Sequence, residues 1–130
     1  MRRKQILTTI FLINIIPMFF YQYGGNDGVT SDFIGMMNLF SPLGIIASIF
    51  YFIGVLELFG SKKWNAYCTS IGLLCMITSE IYNWNTWSWP ATDRAYSLAN
   101  VFPMFYIGLV CSMIMFIVCL IIEKKNINIV

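Results

Sequence analysis

Residues 43–82 read LGIIASIFYFIGVLELFG, then SKK, then WNAYCTSIGLLCMITSEIY. Two apolar runs are separated by a single basic turn, Gly60-Ser61-Lys62-Lys63. As a helix rising about 1.5 Å per residue, each run is long enough for the roughly 30 Å of a bilayer's hydrocarbon core. A turn this short brings two such helices back to back. Working outward, residues 6–23 before this hairpin and residues 101–122 after it have the same character. The expectation is an all-α membrane protein. It is an antiparallel four-helix transmembrane bundle forming one domain over 1–130, with spans at about 6–23, 43–60, 64–82 and 101–122.

Composition agrees. The chain is 58% hydrophobic and 11% charged, with mean hydropathy +0.73. Soluble domains carry about 25% charged residues, so polar surface for water is short here. A net charge of +2, set at the helix ends, gives no nucleic-acid footprint. Orientation follows from the cations, because Lys and Arg concentrate on the cytoplasmic side. Arg2, Arg3, Lys4, Lys62, Lys63, Lys124 and Lys125 fall on one side of the four-span arrangement and Arg94 alone on the other. Both termini and the 60–63 turn are therefore expected in the cytoplasm, with 24–42 and 83–100 outside. The basic start followed by an apolar run also fits a signal peptide, but no small-x-small cleavage site follows it, so retention as a helix is expected. The Asn, Ile and Lys bias fits an AT-rich, bacterial genome, hence a cell inner (plasma) membrane. No Asn-x-Ser/Thr acceptor lies in either outer segment.

The first outer segment opens on the turn-formers Gly24-Gly25-Asn26-Asp27-Gly28. Thr30-Ser31-Asp32 is then placed to cap a short interfacial helix over 33–40, and Ser41-Pro42 restarts the chain as the second span. Small residues mark the contact faces, since helices in lipid associate by close packing. The seams expected are Cys68, Gly72, Cys75 and Ser79 in the third span, Gly108, Ser112, Met115 and Cys119 in the fourth, and Gly44, Ala47, Ser48 and Gly54 in the second. By depth, Cys68 matches Cys119 and Cys75 matches Cys111. Without C-x-x-C spacing these thiols are read as packing residues, not as a relay or a metal path. Asn14 is the strongly polar group of the first span, expected to hydrogen-bond to a neighbouring helix near a bend at Pro17.

Chemistry is thinly represented. The chain has no histidine, which removes the commonest general base and metal ligand. No cofactor, no metal and no catalytic residue is expected. Glu57 and Glu80 sit toward opposite ends of their spans, roughly 20 Å apart in depth, so they cannot form one acid pair. Both are expected near an interface within reach of water. The sharper alternative joins Glu80 with Asp93 or Arg94 in an outward-facing polar site. Around it Trp84, Trp87 and Trp89 form either an interfacial belt or a recognition surface. The functional expectation is a non-catalytic accessory or assembly subunit, or an immunity-type protein. Its partners would be membrane lipids and another membrane protein or further copies of itself. The alternative is a small oligomeric transporter or channel using Glu57 or Glu80.

Overall fold

In a computed structural model the described residues are 2–23, 33–87 and 103–128. The fold is all-α. Helix α1 (Arg3–Ile15) passes into a 3-10 turn (Ile16–Phe19), and α2 is Met36–Phe40, α3 Pro42–Val55, α4 Lys62–Trp87 and α5 Pro103–Asn128. One small antiparallel ribbon joins β1 (Tyr21–Tyr23) to β2 (Phe33–Ile34), with Tyr21 opposite Ile34 and Tyr23 opposite Phe33. Among the described residues one helix, Pro103–Asn128, is long and apolar enough to cross a membrane; Pro42–Val55 is apolar but shorter.

Boundaries differ from the sequence reading for local reasons. Pro17 offers no N–H to a carbonyl one turn back, and α1 gives way to the tighter turn with Pro17 inside it. The short helix is confined to Met36–Phe40 because Phe33 and Ile34 pair with β1 instead. The expected caps Thr30, Ser31 and Asp32 lie outside the described residues. The break at Ser41-Pro42 is present: the Ser41 hydroxyl accepts the Gly44 N–H at 3.2 Å and Pro42 opens α3.

Helix α3 stops at Val55, short of residue 60. Glu57 N–H donates to the Gly54 carbonyl and Leu58 N–H to the Ile53 carbonyl, the paired bonds of a Schellman ending. Glu57 occupies the left-handed position with φ 56°, where glycine is usual. Asn65 then fixes the turn from inside α4. Its side chain accepts the Phe59 N–H at 3.0 Å and donates to the Phe59 carbonyl at 2.9 Å.

The core lies where α1, α3, α4 and α5 meet. Leu7, Ile10, Tyr51, Val55, Leu73 and Cys119 form its larger cluster, and Met18, Ala47 and Met76 a second. Because α1 and the turn that ends it supply residues to both clusters, this segment is an integral element of the bundle. The α3–α4 seam follows the small residues: a Cβ on Gly72 would stand 2.7 Å from the Tyr51 nitrogen, and one on Gly54 2.5 Å from the Asn65 carbonyl oxygen. Tyr51 joins this seam, and its hydroxyl donates to the Leu7 carbonyl, tying α3 to α1. Tyr51→Phe is expected to lower stability by about 1 kcal/mol, read as an earlier thermal midpoint in detergent. An unchanged midpoint would show that the hydroxyl contributes nothing.

Candidate functional site

Two polar assemblies occupy opposite ends of the bundle. At the end where both termini lie, Arg3 reaches inward from the first turn of α1. Its guanidinium grips Glu123 of α5 through two bonds, Nε–Oε1 at 2.7 Å and Nη2–Oε2 at 3.0 Å. The same fork donates to the Gly54 carbonyl at 3.0 Å and to Glu57 Oε1 at 3.3 Å. Arg3 thereby links the start of α1, the end of α3 and the last turns of α5. The planar guanidinium suits this, presenting several donors in fixed directions. Lys4 stands 3.7 Å from Glu57 at a solvent-exposed position. Glu57 is therefore half exposed and paired with both cations.

At the other end, α2, α3 and α4 are knotted by amides and hydroxyls. Asn38 is fully buried. Its carbonyl accepts from Ser41 Oγ at 2.8 Å and Ser79 Oγ at 3.1 Å, and its side-chain oxygen accepts from Asn83 Nδ2 at 2.9 Å. Ser41 and Ser79 also share a 3.0 Å hydrogen bond. A cleft of about 290 Å³ opens beside this knot, lined by Ser41, Pro42, Leu43, Tyr82 and Asn83.

Next to Ser79, Glu80 points inward, 3% exposed. This corrects the expectation that it reaches water at an interface. α4 continues to Trp87, past the predicted end of its span, and α5 packs over the carboxylate. Ser112 of α5 donates its hydroxyl to Glu80 Oε1 at 3.1 Å. Among the described residues Glu80 forms no ion pair.

Asn14 is buried at 4% exposure, but its side-chain oxygen and nitrogen both lack a hydrogen-bond partner among the described residues. The expected bond to a neighbouring helix is not made among the described residues. The cysteines are all free. Cys119 sits in the Leu7–Tyr51 cluster, while Cys75 packs on the Met18–Ala47 cluster; Cys68 is buried, and Cys111 lines a groove on α5. Gly72 closes the α3–α4 seam as expected.

Of the aromatic cluster, Trp84 packs its ring on Phe105 of α5, with centroids 5.6 Å apart. Its indole nitrogen is buried without a partner among the described residues. Trp87 is the final residue of α4. Trp89, Asp93 and Arg94 lie outside the described residues, so the joining of Glu80 with Asp93 or Arg94 falls outside them too.

Sequence reasoning passed over Glu123, Asn38, Asn83 and the pairing roles of Arg3 and Ser112. Counting only cations for topology hid Glu123 among the basic residues of the tail. A usable signal was present: Arg3, Leu7, Ile10 and Asn14 recur at helical spacing, as do Ser112, Cys119 and Glu123. Comparison with protein-family models, curated proteins and solved structures gives no match.

Proposed function

We propose that this chain is a four-span helical protein of the cytoplasmic membrane, with both termini inside, acting without catalysis as an accessory or assembly subunit. An immunity-type shield is one form of that role. The observation that carries the membrane reading is an inverted distribution of polarity. Asn14, Asn38, Asn65, Thr69, Ser79, Glu80, Ser112 and Glu123 are buried, whereas Ile46, Ile49, Leu74, Ile114, Ile117 and Ile121 face outward. Water favours the reverse. The outward hydroxyls fit lipid as well. Thr8, Thr9 and Thr78 each donate to the carbonyl four residues back, at 2.8, 2.8 and 2.9 Å. Such bonds leave no bare donor on the apolar surface. This arrangement also bears on α4, whose polar residues lower its average hydropathy although Asn65, Thr69, Ser79 and Glu80 among them are turned inward.

The subunit reading draws on an open apolar groove of about 460 Å³ on α5, lined by Tyr106, Ile107, Val110, Cys111, Ile114 and Met115. Side chains of this kind suit packing against another helix in lipid. Affinity purification in mild detergent, with mass spectrometry of what co-elutes, is expected to return a second membrane protein in fixed ratio. The chain itself should resist carbonate extraction, and reporters fused after residue 61 and after residue 128 should both report cytoplasm. Release by carbonate would overturn the membrane reading. A homo-oligomer alone would overturn the subunit reading and favour a small oligomeric transporter or channel. That alternative rests on Glu80, since Glu57 is tied to Arg3 and Lys4.

A further inference from the structure

We propose that Asn14, Ser112 and Glu80 form an interior site for one sodium-sized monovalent cation. The site is made by helix contacts and stands whether or not the chain has a protein partner. Helices α1 and α5 run antiparallel, and their register is set by Arg3 against Glu123, with Leu7, Ile10 and Cys119 in one cluster. Asn14 lies as many residues on from Arg3 as Ser112 lies back from Glu123. Both are buried on the stripes that these contacts bring together, Leu7–Ile10–Asn14 on α1 and Ser112–Cys119–Glu123 on α5. The register therefore sets Asn14 at the level of Ser112, whose hydroxyl is already bonded to Glu80.

Two independent observations point to a ligand here. Asn14 buries both a carbonyl oxygen and an amide nitrogen without a partner among the described residues, and a buried polar group left unpaired opposes folding. Glu80 is a buried carboxyl group with a single hydroxyl bonded to it and no cation beside it among the described residues. A bound cation answers the Asn14 oxygen and the Glu80 carboxyl group at once. It balances the carboxylate and turns the Asn14 oxygen into a ligand. Pro17 adds to the oxygen supply, because it brings no N–H to the Ile13 carbonyl beside Asn14. Helices interrupted in this way supply ion ligands in membrane transporters.

The donor set decides the class of cation. Carboxylate, hydroxyl and amide oxygens are hard ligands, which select against copper and zinc. One carboxylate balances one charge, whereas calcium sites gather several acidic or carbonyl oxygens. Among the described residues no group of three or more His, Cys, Asp or Glu is placed to hold a metal ion.

The test uses the full-length protein in mild detergent, transferred to choline chloride and titrated with sodium chloride at constant ionic strength. Sodium is expected to raise the thermal midpoint saturably, as a ligand of the native state does, and radioactive sodium should bind at one per chain. Glu80→Gln and Ser112→Ala should weaken the sodium response by about tenfold or more. Asn14→Leu should lose the response while melting no earlier than the parent in choline, because an orphaned amide has been replaced by an apolar group. If Glu80→Gln fails to fold, the Ser112→Ala and Asn14→Leu titrations and the direct binding measurement still decide. Sodium and choline giving the same midpoint, an equal sodium response in all variants, or no bound sodium would each overturn the site. So would a midpoint that follows pH but not sodium.

Discussion

Replacing Arg3 with methionine is expected to destabilise the protein by about 3–5 kcal/mol, the largest effect of any single charge removal among the described residues. Glu123 is 2% exposed and takes two of its hydrogen bonds from Arg3. Without the guanidinium its carboxylate stays buried beside an apolar stem. The Gly54 carbonyl loses a donor in the same step, and Glu57 loses the nearer of its two cations. Glu57 also sits at a positive φ that carbon side chains resist, so part of what holds the end of α3 goes with it. Lys4→Met is the control: its ion pair is long and exposed, a class that contributes about 0–1 kcal/mol. The double change Arg3→Met with Glu123→Leu should recover most of the loss, because removing both members of a buried pair is often neutral. Denaturant or thermal unfolding of the parent and these variants in one detergent reads the whole set. An Arg3→Met midpoint no lower than that of Lys4→Met would show the cluster to be worth no more than a surface contact.

Side chains added at the glycines of the α2–α3 corner and the α3–α4 seam are expected to have the next largest effects, ordered by what a Cβ meets. At Gly44 it would run into the Asn38 carbonyl oxygen, the acceptor shared by Ser41 and Ser79, and stand 2.8 Å from the Leu39 carbonyl oxygen. Backbone cannot swing aside as a flexible side chain does, so Gly44→Ala should open the corner between α2 and α3. At Gly54 the nearest atoms are the Asn65 oxygen and Thr69 Cγ2, both at 2.5 Å, and at Gly72 the Tyr51 nitrogen at 2.7 Å. Alanine there must push the two helices apart. Overpacking of this kind costs about 1–3 kcal/mol, with Gly44 at or above the top of that range. Gly60 has nothing within 4 Å of an added Cβ and should accept alanine within about 0.5 kcal/mol. Equal melting of the Gly44, Gly54 and Gly60 alanine variants would refute the seam as the organising contact.

That a short hairpin joins α3 to α4, the restart at Ser41-Pro42 and the small-residue faces were legible because each depends on neighbours in sequence. The connection runs over 56–61, not the expected 60–63, since Lys62 and Lys63 already belong to α4. Gly44, Ala47 and Gly54 recur on one face of α3, and any tightly packed partner must use that face. The end of α3 was not legible. It is set by Glu57 in a conformation usually left to glycine, held by Asn65 gripping Phe59 and by Arg3 from another helix. Apolar residues continue through Phe59, so hydropathy alone extends the helix too far. The upper part of the first span failed for a similar reason. Tyr21–Tyr23 take their pairing from Phe33 and Ile34, beyond the reach of any helical period.

By itself the sequence determined that the chain is helical, where Ser41-Pro42 restarts it, which faces are small enough to pack, and that histidine-based chemistry is absent. These follow from composition and short-range periodicity, which act within a few turns of one helix. Only the tertiary structure decided that Arg3 belongs to Glu123, that Asn38 is the hub of Ser41, Ser79 and Asn83, and that Glu80 is enclosed beneath Ser112. Whether a polar side chain on a helix meets lipid, water or a partner depends on the rotation and register of helices far apart in sequence. Those are fixed by packing across the bundle, where close approach at Gly54 and Gly72 sets the depth at which each buried group finds its neighbour or finds none.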